Sequence, residues 1–195
     1  VIPRRYSLET DNDQWDIRWH RPFTDYEYLT WPWAKNVVKF GLVGRAWDGR
    51  TAEHADLLLG ENMTFQGSCW FIHKEFFERR IGDMSDNGYG GFVAEAQELG
   101  FKVWLGGGKV MTNKKCWYAH LWKGQHYRDN YFATYGIKYT RISNSEWKRG
   151  NRFNVFYWMQ NKWEPRIHDF EWLIDKFSPV PTWPKDKSTW MPESI

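Results

Sequence analysis

The clearest hydrophobic pattern in the chain lies between residues 92 and 105. Phe92, Ala96, Leu99 and Val103 recur at i, i+4, i+7 and i+11, a helical apolar stripe. Glu95, Glu98 and Lys102 fall on another face, and the three glycines Gly106–Gly108 predict the stop. Before this helix, Phe65–His73 is β-prone and interrupted by Gly67, a position suited to a bulge or a close backbone approach. Lys74–Ile81 predicts a short helix with Phe76, Phe77 and Ile81 turned inward and Gly82 ending it. After it, Lys109–Asn113 and Cys116–Leu121 read as strand. Residues 61–120 therefore predict strand, helix, loop, helix, strand.

The flanks are less periodic. Residues 1–60 read as irregular and aromatic-rich, apart from an apolar strand-like entry at Val1–Pro3. Residues 122–195 read as basic, aromatic and irregular. Their one helical stripe, within Arg166–Phe177, joins Ile167, Phe170, Leu173, Ile174 and Phe177. The last eighteen residues carry four prolines and predict an extended tail. This division gives a core over 1–131 (irregular to 60, regular from 61) and a C-terminal extension over 132–195.

Composition changes the picture in one respect. Aromatic residues make up 19% of the chain, with 15 tryptophans, more than the amphipathic stripes account for. Indoles often line partly wet surfaces, and aromatic platforms suit sugar rings and bases alike. A net charge of +3 is too small to argue for nucleic acid by itself. No apolar run approaches the roughly 20 residues that span a bilayer. Cys69 and Cys116 do not make a disulfide framework, and reduced thiols in a cytoplasmic protein are the simpler expectation. Asn62-Met63-Thr64 is a glycosylation sequon that has meaning only in a secretory compartment.

Two constellations could carry chemistry. Glu95 and Glu98, at i, i+3, can project from one side of a helix to orient hydroxyls, hold a metal or act as a base. The plain alternative is a solvated face with a Glu98–Lys102 pair. His120 ends a strand-like segment and precedes the basic run Lys123, His126, Arg128, an arrangement suited to a metal and its phosphates. Asp83, Asp86 and Asn87 read as a turn with Asx side chains, not as a calcium loop. Asp11-Asn12-Asp13 has the letters of a metal-binding Asp-x-Asp but stands in a polar stretch.

The order of these features resembles the acceptor-side half of GT-A type glycosyltransferases, the family 2 group and the polypeptide N-acetylgalactosaminyltransferases. Those enzymes carry a segment of the form W-G-G-E-N-x-E-x-x-x-[RK]-x-W-x-x-G-G. Here Glu95-Ala96-Gln97-Glu98 stands for E-N-x-E, Lys102 for the basic position, Trp104 for the Trp, and Gly107-Gly108 for the closing pair. Val93 and Ala94 stand where the relatives usually carry Gly-Gly. His120-Leu-Trp-Lys123-Gly-Gln-His126 resembles their lid over the diphosphate, and the segment from Phe65 to Gly82 resembles the one that shapes the donor-sugar pocket. The match covers about residues 61–131, is weaker over 1–60 and stops there.

The resemblance implies an α/β fold: a partial GT-A-like mixed sheet with flanking helices, lacking the N-terminal nucleotide-binding βαβ half. It implies sugar transfer from a nucleoside diphosphate sugar to an acceptor glycan, protein or small molecule. Glu95 and Glu98 would be the catalytic carboxylates and His120 a ligand of Mn²⁺ or Mg²⁺. Lys123, His126, Arg128, Gly67, Ser68 and Trp70 would hold the donor and its phosphates. A complementing N-terminal segment would be required for activity. The alternative reading is a non-catalytic protein that binds carbohydrate or single-stranded nucleic acid.

Overall fold

A computed structural model describes the chain except residues 12–13, 36–39, 85–88, 90–93, 122–132, 137–142 and 192–195 and the side chains of 10 and 11. Helices and a mixed sheet share one hydrophobic core, so the protein is of the α/β class. The sheet order is β2-β1-β6-β5, with β1 Ile2–Asp11, β2 Gln14–Ile17, β5 Leu59–Glu61 and β6 Met111–Leu121. β1 and β6 are parallel, while β2 and β5 pair antiparallel on either side. A second pair, β3 Glu27–Leu29 and β4 Gly44–Ala46, is antiparallel, and the short helix α1 Asp48–Glu53 follows it.

The expected central helix is present as α3, Glu95–Leu105, and Ala96, Leu99 and Val103 are buried as the stripe predicts. The helix before it is also present, as α2 Lys74–Phe76 continued by a wider π turn, Phe77–Ile81. Gly82, at φ +60°, ends it by donating to the Phe77 carbonyl at 2.9 Å. The two strand pieces after α3 prove to be one strand. Pro3 pairs with Asn113 but Arg4 with Trp117, so Lys114, Lys115 and Cys116 form a bulge in β6. The bulge turns Lys114 inward, where its ammonium lies 3.6 Å from Asp25 and donates to the His54 carbonyl at 2.6 Å.

Four expectations are corrected. Phe65–His73 is not a strand; apart from a bridge between Thr64 and Glu27, the segment is turn and loop, with its groups spent on side-chain contacts. The start of the chain is not irregular, because β1 finds a parallel partner far away in sequence. Nor is residues 143–165 shapeless: α4, Asn144–Met159, opens with a capping box in which Ser143 and Glu146 satisfy each other's backbone donors. Finally, the proline-rich end is not an extended tail. Val180 and Trp190 are buried, and the Trp183 indole donates to the Leu29 carbonyl at 2.7 Å.

With α5, Phe170–Phe177, these C-terminal elements belong to the same core as α3. Phe101 packs against Trp158 and Phe170, and Trp104 against Phe177. The described residues from α4 to Trp190 therefore contribute to the same hydrophobic core as α3. Asn62 lies under β6, 1% exposed, with its amide donating to the Asp25 carbonyl and the Thr112 hydroxyl, both at 2.9 Å. A glycan cannot occupy that nitrogen in the folded protein. No described helix is long and apolar enough to cross a membrane.

Candidate functional site

One face of the β1–β6 pair collects polar side chains. Registered neighbours in β1 and β6 share a face, which puts Arg5 with Tyr118 and Ser7 with His120 on one side. Arg5 pairs with the buried Glu27 at 2.8 Å and reaches Gln66 at 3.3 Å. The Gln66 carbonyl also accepts from Ser68, and the Ser68 and Tyr118 hydroxyls are 2.6 Å apart. Burial pushes the Glu27 carboxyl up, with Arg5 opposing that shift. Burial also raises Tyr118, offset by its bonds to Ser68 and Arg5. A narrow polar cleft of about 10 Å³, the room of roughly one water, lies among these groups.

Glu95 joins this face through Gly67. A Cβ at Gly67 would sit 3.6 Å from the Glu95 Oε2 and 3.5 Å from the Ala96 Cβ, so the loop and the start of α3 are in contact there. The carboxyl stands in the first turn, where the helix dipole favours its charge. Burial nonetheless holds its pKa above the ordinary carboxylate value. The residue before it, Ala94, is in the left-handed region at φ 59°, and no side chain caps the helix. That conformation costs a residue with a Cβ roughly 1–2 kcal/mol.

No known protein family, curated protein or solved structure matches the chain. The site must be judged on its geometry.

Of the residues singled out from sequence, His120 falls on this face by register, Ser68 meets it through Tyr118, and Glu95 touches the adjoining Gly67. Glu98 does not share its openness. It is 3% exposed and pairs with Lys102 at 2.9 Å, and Lys102 donates to the Asp83 carbonyl at 2.7 Å. The expected solvated Glu98–Lys102 face is thus a buried pair whose charge lies near Tyr89 and Tyr157. Trp70 turns toward an apolar cavity of about 250 Å³ bordered by Phe65, Phe76, Leu99 and Val103, and stacks with Phe77. Trp104 is core, as its helix position suggests, and donates to the Asn62 carbonyl at 3.1 Å. Lys123, His126, Arg128, Asp86 and Asn87 lie outside the described residues.

Sequence reading missed Arg5, Glu27, Gln66 and Tyr118. Tyr118 was within reach, because it stands two residues before His120 on one strand and must share its face. Arg5 and Glu27 gave no such signal, since the pairing that joins them spans segments read as irregular. Among the described residues no three His, Cys, Asp or Glu side chains gather as a metal site. His120 alone does not make a donor set, so no step is routed through a metal.

Proposed function

We propose that the Glu95 face is the acceptor-facing part of a glycosyltransferase site, acting on a nucleoside diphosphate sugar. The observation that carries this reading is the Glu95 carboxyl: part-buried, raised in pKa and set against Gly67, the chain neighbour of Ser68, whose hydroxyl meets that of Tyr118. A carboxylate with a raised pKa is a better base toward a hydroxyl than an ordinary one. In the proposed step an acceptor hydroxyl oxygen bonds to the anomeric carbon as the bond to the diphosphate breaks. The hydroxyl proton passes to Glu95, and the nucleoside diphosphate leaves with the bonding pair.

Ser68 and Tyr118 offer hydroxyls that can bond sugar oxygens, and the Arg5–Glu27 pair fixes Gln66, which holds both. The basic run from Lys123 to Arg128 is assigned to the diphosphate on the sequence resemblance alone. The same resemblance assigns a divalent cation, Mn²⁺ or Mg²⁺, to His120 and donors elsewhere, and a nucleotide-binding half to a complementing segment.

The test is donor turnover, read as nucleoside diphosphate release from a panel of nucleotide sugars with Mn²⁺. It is run on this chain and, where the reading frame extends further, on the complete polypeptide. Transfer that is lost in Glu95→Gln supports the reading. Absence of turnover in both proteins, or full activity in Glu95→Gln, overturns it.

A further inference from the structure

The opposite face of β1 and β6 has a different character. Tyr6, Leu8, Trp117, Ala119 and Leu121 line it, and β2 adds Ile17 beside Leu8 and Trp15 one pleat on. The chain after β2 folds back so that Trp19 and Phe23 reach Tyr6. Tyr6 stands at the centre, with ring centroids 4.9 Å from Trp19, 5.8 Å from Phe23 and 5.7 Å from Trp117. Trp19 and Trp117 meet at 5.4 Å, and all four contacts are edge to face. Yet Trp15, Trp19 and Trp117 are 60%, 58% and 50% exposed, and this group stands apart from the main hydrophobic core. Large ordered aromatics left in water mark a binding surface more than a packing need.

We propose that this patch is a platform for the sugar rings of a neutral oligosaccharide or polysaccharide, a site distinct from the Glu95 face. A pyranose ring offers an apolar C–H face and a polar rim, and the patch offers indole and phenol rings with a polar border. The described border arginines each touch a carboxylate, and they share carboxylates with other cations. Arg18 and Arg21 both pair with Glu9, and Arg4 pairs with Asp25 through two bonds while lying 3.8 Å from the Phe23 ring centroid. Phosphate-backbone binding draws mainly on cations without a carboxylate partner, whereas the centre of this patch is aromatic and uncharged. Size argues against a second protein chain. Three half-exposed indoles present on the order of 400 Å², short of the roughly 800 Å² per partner of a stable interface. The edge-to-face contacts hold the rings in place before binding, so little side-chain freedom is lost on contact.

Calorimetry tests this on the full chain with the neutral hexaoses of glucose, mannose, galactose and N-acetylglucosamine. At least one is expected to bind saturably. Trp19→Ala and Trp117→Ala should each weaken it about tenfold, a contact of roughly 1.4 kcal/mol, with the fold retained by circular dichroism. Trp19→Phe, which keeps a ring, should retain most of the affinity and covers the case of an alanine variant that misfolds. Glu95→Gln should bind as the parent does, which separates this platform from the transferase reading. The proposal is overturned if no hexaose binds, if binding ignores both tryptophans, or if it is lost in Glu95→Gln. It is equally overturned if the tryptophans instead support oligothymidylate binding or a sugar-insensitive dimer.

Discussion

The two faces of the β1–β6 pair differ in how they treat side chains that do not belong to the core. On one side polar and charged groups are drawn inward and bonded to one another: Arg5 with Glu27, Gln66 with Ser68 and Tyr118. On the other side aromatic groups stand partly in water, ordered by one another and by Arg4 against Phe23. One strand pair builds both, because alternate residues point to opposite faces. The inward face is therefore sensitive to any unmatched group, while the outward face can lose a ring at little cost to folding. That difference can be tested at sites of decreasing consequence.

The largest effect is expected at Asp25, which is 2% exposed and binds Arg4 through two bonds of 2.7 and 2.8 Å, with Lys114 behind it. Asp25→Ala leaves Lys114 buried without its carboxylate and should cost about 3–5 kcal/mol in urea unfolding. A loss under 1 kcal/mol would mean that this network does not hold the sheet. Next comes Glu95→Gln, which should lower transfer at least about 100-fold with the fold intact by circular dichroism. Gly60→Ala follows, since a Cβ there would meet the Tyr26 hydroxyl at 2.2 Å. Overpacking of this kind should cost about 1–3 kcal/mol, and a neutral result would show that Tyr26 can move.

The pH dependence of Glu95 has a definite sign. Burial raises its pKa, so the base form appears, and transfer should rise, only as pH passes above the ordinary carboxylate range. Stability runs the other way. The contribution of the protonated group is complete below the unfolded-state value and is lost as pH rises through the raised one. Glu95→Gln should therefore gain in melting temperature relative to the parent across that window, and an unchanging difference would argue against the burial. The smallest effect belongs to the outward face, where Trp19→Ala removes two edge-to-face contacts and should cost about 1 kcal/mol.

What could be read in advance followed local chemistry. The α3 stripe, its glycine stop and the short helix before it depend on residues within a turn or two of each other, and all three are present. The α4 helix was equally local, and its Ser143–Glu146 capping box was there to be read, but its stripe is interrupted by Asn151 and Asn154. Both are buried: the Asn151 amide donates back along its own helix to the Trp147 carbonyl at 2.9 Å, and Asn154 accepts from the Tyr89 hydroxyl at 2.8 Å. Polar letters thus hid a core face. The Glu95–Gly67 contact was half legible, since a glycine signals close approach without naming what approaches. The Arg5–Glu27 pair needed the pairing of distant segments, which periodicity does not encode.

The parallel pairing of β1 with β6 also sets an order of events in time. Ile2 finds Thr112, and Leu8 finds Leu121, only when more than a hundred further residues have been made. Contacts so distant along the chain form slowly. Until β6 emerges, the newborn first strand carries Tyr6 and Leu8 with no strand on that side, an edge open to other chains. During synthesis the antiparallel β2 is the early partner available to it. The hairpin that displays the aromatic patch would then be the first piece of this sheet to take shape, and the polar face the last.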